Sequence, residues 1–199
     1  DEVLEKFPEL EVYTCAAGGS PSGKIHFGNF RDVMTAYAVY EELKKRGKNA
    51  RMIFSWDNFD RFRKVPVGID ESYEQYIGIP YTKIPAPDGT SESYGKQYQN
   101  EYEKTMSDIG LDIEFIDQTE QYESGRYDDQ IILALKKRKE IADILLSFMS
   151  EKGKERSGVV DEEYRENYYP VSVFSEFSGK DNTKVLSYDG DESITYKCF

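Results

Sequence analysis

The chain contains a single histidine, and the residues around it suit phosphate chemistry. His26 lies in Ser20-Pro21-Ser22-Gly23-Lys24-Ile25-His26-Phe27-Gly28-Asn29, after an apolar run and before a helical pattern. A helix start offers unpaired N–H groups and the positive end of a dipole. Glycine removes the Cβ that would hold a phosphate away from the backbone. A histidine beside them adds a donor where charge builds on a transferring phosphorus. A metal site or a Ser-His-Asp triad fits poorly, because nothing else in the chain completes either one. A lone histidine is more often a surface or satisfied core residue; the strand–turn–helix setting moves the reading to phosphate.

A second group follows the next apolar run. Ala50-Arg51-Met52-Ile53-Phe54-Ser55-Trp56 reads as a buried strand, and Asp57-Asn58-Phe59-Asp60 as an acidic turn. Arg61, Arg63 and Lys64 come directly after it. The plain alternative for Asp57 and Asp60 is that they cap the next turn or pair with Arg61 and Arg63. Asp32, early in the first long helix, has the dipole as its plain explanation. Trp56, alone after a strand, reads more readily as core than as a substrate contact.

The elements that must position these groups follow from period and punctuation. Val12 to Ala17 reads as a strand and Gly18 to Ile25 as a loop. Phe30, Val33, Met34, Tyr37, Ala38 and Leu43 keep helical spacing from Phe27 to Arg46. Gly47 ends that helix, with Lys44, Lys45 and Arg46 in the last turn. Arg51 to Trp56 is the second strand. Residues 66–89 carry Pro66, Pro80, Pro85 and Pro87 and read as irregular structure. A helix from Ser93 to Ile109, stopped by Gly110, precedes a third strand over Asp112 to Asp117. One long helix is expected from Asp128 to Lys152. Tyr168 to Phe174 and Lys184 to Phe199 alternate like antiparallel strands, with Asp189-Gly190-Asp191 as the turn. The fold class is α/β: the first half of a doubly wound parallel sheet, then the start of a small antiparallel β insertion. The expected domains are 1–155 and 156–199.

Composition limits the function classes. A chain of 199 residues, 38% hydrophobic and 14% aromatic, can bury a core. Sixteen tyrosines exceed what a core alone needs, so some belong on half-wet surfaces. A net charge of −12 argues against a general nucleic-acid coat, though not against local basic patches. Arg61, Arg63 and Lys64 form one such patch; Lys136, Lys137, Arg138 and Lys139 form another that is more simply a solvated helix face. No apolar run reaches bilayer length and no signal-peptide pattern is present, so a cytoplasmic location without membrane contact is expected. Cys15 and Cys198 match no disulfide framework.

Pro21, Gly23 and His26-Phe27-Gly28-Asn29 resemble the His-Ile-Gly-His signature of class I aminoacyl-tRNA synthetases. Gly28-Asn29-Phe30-Arg31-Asp32-Val33 and Asp57-Asn58-Phe59-Asp60-Arg61-Phe62-Arg63-Lys64-Val65-Pro66 narrow the likeness to class I lysyl-tRNA synthetases. The resemblance is dense from Val12 to Pro66 and looser to the C-terminus. It implies a Rossmann-like catalytic domain and a ligase that makes lysyl-adenylate from ATP and L-lysine, then charges tRNA(Lys). ATP enters with Mg²⁺ as substrate. His26 and Asn29 are then the catalytic pair. ATP is bound by Pro21, Ser22, His26, Gly28 and Asn29, with Gly28 letting the nucleotide lie flat. Gly18 and Ser20 with Asp57 and Asp60 bind lysine, and Arg61, Arg63 and Lys64 bind tRNA.

Two departures accompany the likeness. The family's Lys-Met-Ser-Lys-Ser-type loop and anticodon-binding domain are not found between Asp1 and Phe199, so a truncated part that does not charge tRNA by itself is expected. Relatives can hold zinc through Cys pairs in the insertion, but this stretch reads Ser175-Glu176-Phe177-Ser178, and no structural zinc is expected. Two other classes stay open on the residues: another adenylyltransferase with the same phosphate turn, and a non-catalytic RNA-binding paralogue.

Overall fold

Alternation decides the first sheet. In the strands β1 (Tyr13–Gly19) and β2 (Ala50–Trp56), every second side chain of β2 from Met52 onward is buried. The structure, a computed structural model, describes residues 2–24 and 26–199; Ile25 of the expected loop and the first residue, Asp1, lie outside the described residues. A short helix α1 (Glu2–Lys6) precedes β1. Helix α2 (Phe27–Lys45) joins β1 to β2, and helix α3 (Tyr94–Asp108) leads to β3 (Glu114–Asp117). The three strands are parallel in the order β1-β2-β3, with Tyr13 opposite Ala50 and Phe54 opposite Phe115. Two compact units divide the chain, one up to Glu120 and one over Gln121–Phe199.

Met52, Phe54 and Trp56 point into one cluster with Val33 and Tyr40 of α2 and Tyr102 and Met106 of α3. Each such side chain contributes roughly 1.5–3 kcal/mol on burial. Trp56 is 1% exposed and its indole N–H donates to Glu103 at 2.8 Å, so it is a core residue. Gly47 and Gly110 end α2 and α3 in the left-handed region, φ +71° and +78°. In both, the next residue's N–H reaches back to close the last turn, Lys48 to the Leu43 carbonyl and Leu111 to that of Met106, each at 3.0 Å.

The proline-bearing segment between β2 and α3 is less irregular than its composition suggests. Two 3₁₀ turns, Glu71–Tyr76 and Tyr81–Lys83, hold a second cluster of Phe62, Tyr81, Ile84, Tyr94 and Tyr98. Phe62–Tyr94 and Tyr94–Tyr98 meet edge-on, at 5.2 and 4.9 Å between centroids, and Tyr81 stacks on Tyr94 at 5.9 Å. The surplus of tyrosine is therefore used partly inside this lobe.

In the second unit, α4 (Gln118–Glu123) runs in from the first, and the single helix expected over Asp128 to Lys152 is instead three: α5 (Asp128–Lys136), α6 (Arg138–Phe148) and α7 (Glu151–Ser157). The apolar period reads through both breaks because neither holds a proline. Ser150 caps α7 by accepting from the Gly153 N–H at 3.2 Å, which starts a new helix where the pattern suggested continuation. The strand expected over Tyr168 to Phe174 is not formed. A helix, α8 (Asp161–Asn167), comes before it, and the segment's polar groups go to side chains instead of a ladder. Arg138 Nη1 donates to the carbonyls of Glu166 at 2.8 Å and Tyr168 at 3.1 Å, and its guanidinium lies 4.6 Å from the Tyr169 ring centre. The expected hairpin is present as β4 (Thr183–Tyr188) and β5 (Ile194–Cys198), antiparallel, with Asp189 Oδ1 accepting from Asp191 and Ser193 in the turn. The Ser175 hydroxyl organises the 175–180 turn: it accepts from the Phe177 and Ser178 N–H groups and from the Cys198 thiol.

The basic run is largely committed to this packing: Lys137 pairs with Glu140, Lys139 with Glu166, and Arg138 caps α8. Lysine cannot reproduce a planar fork that serves several carbonyls and a ring at once. Arg138→Lys is expected to cost the second unit about 2 kcal/mol, read as faster amide exchange over 161–168. Exchange unchanged there would show that Arg138 does not hold α8. Among the described residues, no helix is long and apolar enough to cross a membrane.

Candidate active site

The first unit opens a cleft of about 630 Å³ where β1 and β2 end. Ligands of open α/β sheets collect at the carboxyl ends of the strands, because the loops that leave them diverge there. The β1–α2 loop gives the cleft Ser20, Ser22, Gly23, Lys24, His26 and Asn29, and the segment after β2 gives Asp60, Arg63, Lys64 and the turn around Val67.

His26 is the N-cap of α2. Its Nδ1 accepts from the Gly28 N–H at 3.1 Å, and Asn29 Oδ1 accepts from the His26 N–H at 3.4 Å. This capping box fixes both side chains. With Nδ1 accepting, a neutral imidazole carries its proton on Nε2, which remains a donor. With Oδ1 occupied, Asn29 keeps its amide N–H groups for a ligand. The same box takes up most of the helix's free donors: besides the His26 and Gly28 N–H groups, the Asn29 N–H goes to the His26 carbonyl at 3.0 Å, which also accepts the first helical bond from Phe30 at 3.4 Å. The sequence suggested open amides at this helix start, whereas three of them are bonded within the turn.

Gly28 makes room for this arrangement. A Cβ there would lie 2.9 Å from His26 Cε1 and 3.0 Å from Nδ1. Gly18 serves strand packing, since its Cβ would stand 2.9 Å from the Ser55 carbonyl oxygen. Pro21 is buried and shapes the turn from within. The loop is tied down from the aromatic lobe, where the fully buried Tyr94 donates its hydroxyl to the Ser22 carbonyl at 2.9 Å.

Asp60 accepts from the Ser20 hydroxyl at 3.1 Å, and Arg63 approaches the same oxygen at 3.9 Å. The plain explanation, pairing with Arg63, thus accounts for part of Asp60. Asp57 is exposed outside the cleft lining, and its N–H donates to the Gly19 carbonyl at 3.0 Å. Partial burial, and then the charge of Asp60, push its carboxyl above the usual range. Arg61 also lies outside the lining, paired through its backbone with Pro80. The structure thus brings together Ser20, Ser22, His26, Asn29, Asp60, Arg63 and Lys64, and leaves Gly18, Pro21, Gly28, Asp57 and Arg61 around them.

Three contributions were not singled out from sequence. Lys24 lines the cleft from within the quoted loop. Tyr81 and Tyr98 floor it, from segments with no motif. Asn58, fully buried, accepts from the Thr119 N–H at 2.9 Å and hydroxyl at 3.0 Å and donates to Gln99 at 3.4 Å, fixing the turn between Asp57 and Asp60.

A parallel sheet with a crossover helix between its first two strands, over a cleft at the strand ends, is the beginning of a Rossmann-like α/β fold. Residues 1–199 match the tRNA synthetases class I (K) family, and the chain belongs to that family. It is 33% identical over 198 residues to a lysine–tRNA ligase of Pyrococcus horikoshii, covering 100% of this chain and 36% of that protein. It is 37% identical over 196 residues to that of Borrelia garinii, covering 98% and 35%. With the Streptomyces coelicolor enzyme it shares 36% over 227 aligned residues, covering 100% and 39%. The chain spans a little over a third of the length of these relatives.

Proposed function

We propose that this chain forms the first half of the active site of an enzyme that activates L-lysine with ATP and passes it to tRNA(Lys) in the cytoplasm. The carrying observation is the capping box: it fixes His26 and Asn29 with their free donors, Nε2–H and the amide, beside one cleft. In the first step a lysine carboxylate oxygen attacks the α-phosphorus and the bond to the β-phosphate oxygen breaks, releasing pyrophosphate. In the second, a hydroxyl of the 3′-terminal ribose attacks the lysyl carbonyl and AMP leaves. Neither step needs a protein nucleophile, so the residues' work is positioning and charge stabilisation.

ATP would lie along the β1–α2 turn, with Ser22, His26 and Asn29 as donors and Pro21 and Gly28 shaping the surface. Lysine would lie at the end of β1, by Gly18 and Ser20, with its ammonium toward Asp57 and Asp60. Burial first, and then the charge of Asp60, raise the Asp57 pKa, and two such neighbouring carboxylates favour an arriving cation. Arg61, Arg63 and Lys64 would meet tRNA. The donors on the phosphate side of the cleft are cationic or neutral, and among the described residues no group of three or more His, Cys, Asp or Glu gathers. This fits Mg²⁺ carried on the triphosphate oxygens, where it would neutralise developing charge, better than a protein cage.

Calorimetry with a non-hydrolysable lysyl-adenylate analogue tests the reading. The wild-type chain is expected to bind it, a leucyl analogue at least about tenfold more weakly, and the His26→Ala, Asn29→Ala variant at least about tenfold more weakly. Equal binding of both analogues, or none by folded protein, would overturn it.

A further inference from the structure

The cleft is basic in an acidic chain. Lys24, Arg63 and Lys64 line it against one carboxylate, Asp60, while the whole chain carries −12. Asp60 is already engaged by Ser20 and Arg63. Among the described residues some cations are ion-paired, Lys104 with Asp108, Lys137 with Glu140 and Lys139 with Glu166, and others, such as Lys48 and Lys96, are not; what sets Lys24 and Lys64 apart is that they share one cleft. Among the described residues neither Lys24 nor Lys64 has a carboxylate within ion-pair reach. In a chain with 38 acidic side chains, two unpaired ammonium groups lining one cleft leave its potential positive.

The helix cap makes these cations necessary. In most phosphate sites at a helix start, backbone N–H groups supply the donors. Here the N–H groups of Gly28, Asn29 and Phe30 are bonded to His26 itself. A polyphosphate in this cleft therefore finds few helix amides free and leans on side chains. His26 and Asn29 offer neutral donors for one phosphate, and the charge of the rest must be met elsewhere.

We propose that Lys24 and Lys64, with Arg63, hold the β- and γ-phosphates of a nucleoside triphosphate and the pyrophosphate that leaves. This rests on the nucleotide reading above and moves Lys64 and Arg63 from tRNA to the phosphate tail. The two loops are suited to it. The Lys24 loop is pinned by Tyr94 at Ser22, and the Arg63–Lys64 stretch by buried Phe62, whose N–H donates to the Ile79 carbonyl at 2.8 Å. Each lysine thus extends from an anchored backbone, which lowers the ordering cost of binding. Because the site reads charge and no base, inorganic tripolyphosphate is a sufficient ligand.

The experiment is calorimetry of the chain at low salt with tripolyphosphate, with ATP and with the lysyl-adenylate analogue, which lacks the phosphate tail. Proteins are wild type, Lys24→Gln, Lys64→Gln and, as a control outside the cleft, Lys104→Gln. Tripolyphosphate is expected to bind the wild type, with affinity falling about tenfold in each cleft variant and unchanged in the control. Added salt should weaken it steeply. The analogue should bind all four alike. Tripolyphosphate affinity equal in wild type and both cleft variants, or no binding by folded protein, overturns the proposal. So does loss of tRNA binding in Lys64→Gln with tripolyphosphate binding intact. If the lysines hold tripolyphosphate but the analogue never binds, the adenylate reading fails and this site stands. If the analogue binds and the lysine variants hold tripolyphosphate as the wild type does, this site fails and that reading stands.

Discussion

Asn58→Leu is expected to destabilise the first unit by about 3 kcal/mol and lower the chain's melting midpoint by about 9 °C. The change keeps the branched shape at somewhat greater volume and loses a relay whose direction is fixed from one end. Asp117 Oδ2 only accepts when ionised, so Gln99 turns its amide N–H toward it, at 3.4 Å. Gln99 Oε1 then faces Asn58 and accepts from its Nδ2, also at 3.4 Å. Asn58 Oδ1 is left to take both donors of Thr119, at 2.9 and 3.0 Å. Those last two are the strong bonds. A leucine strands the Thr119 N–H and hydroxyl and the Gln99 carbonyl, at about 1–3 kcal/mol for each buried group, and returns part of this through apolar burial. Asn58→Asp keeps the acceptor for Thr119 but puts two acceptors face to face at Gln99, and should fall between leucine and wild type. Because Asn58 stands between Asp57 and Asp60, binding of the lysyl-adenylate analogue should weaken as well. A loss below about 1 kcal/mol for Asn58→Leu would mean that the relay does not hold the turn.

Asn58 also shows where sequence reading stops. Its partners lie 41 and 61 residues away, and in the chain it looks like any polar loop residue. What could be read was local. The β1 turn, the helix from Phe27, its stop at Gly47 and the second strand all declare themselves within a few residues. The resemblance drew on the same stretch. The aromatic lobe could not be read in that way, because Phe62, Tyr81, Tyr94 and Tyr98 meet across irregular backbone with no period. Asp128 to Lys152 failed for the opposite reason. Its apolar period is real, but the cap at Ser150 breaks the helix without breaking the pattern. Tyr168 to Phe174 alternates like a strand, yet Arg138 takes the Tyr168 carbonyl before a ladder can. At the site itself the residue types pointed to phosphate, while the use of the helix's amides by His26 was visible only in three dimensions.

Gly28→Ala is expected to separate binding from stability. The new Cβ would sit 2.9 Å from His26 Cε1, too close for the ring to stay where it is. The imidazole is a side chain and can swing away, and in doing so it gives up the 3.1 Å bond from the Gly28 N–H. Losing that cap costs about 1 kcal/mol. Replacing glycine by alanine in the first helical turn returns roughly 0.5–1 kcal/mol, mostly by narrowing the unfolded ensemble. The two nearly cancel, so the melting midpoint should move by less than about 2 °C. Binding has no such compensation. Nε2 leaves its place at the cleft, and the freed Gly28 N–H is covered by the methyl that displaced the ring. Affinity for the lysyl-adenylate analogue should fall at least about tenfold, close to the effect of His26→Ala. Gly18→Ala provides the contrast: its Cβ meets the Ser55 backbone carbonyl at 2.9 Å, which cannot swing aside, so strands β1 and β2 must part and stability falls by about 1–3 kcal/mol. If Gly28→Ala binds the analogue as the wild type does, the glycine is not there for His26. If it melts as low as Gly18→Ala, the ring has no room to move and the cap is part of the core.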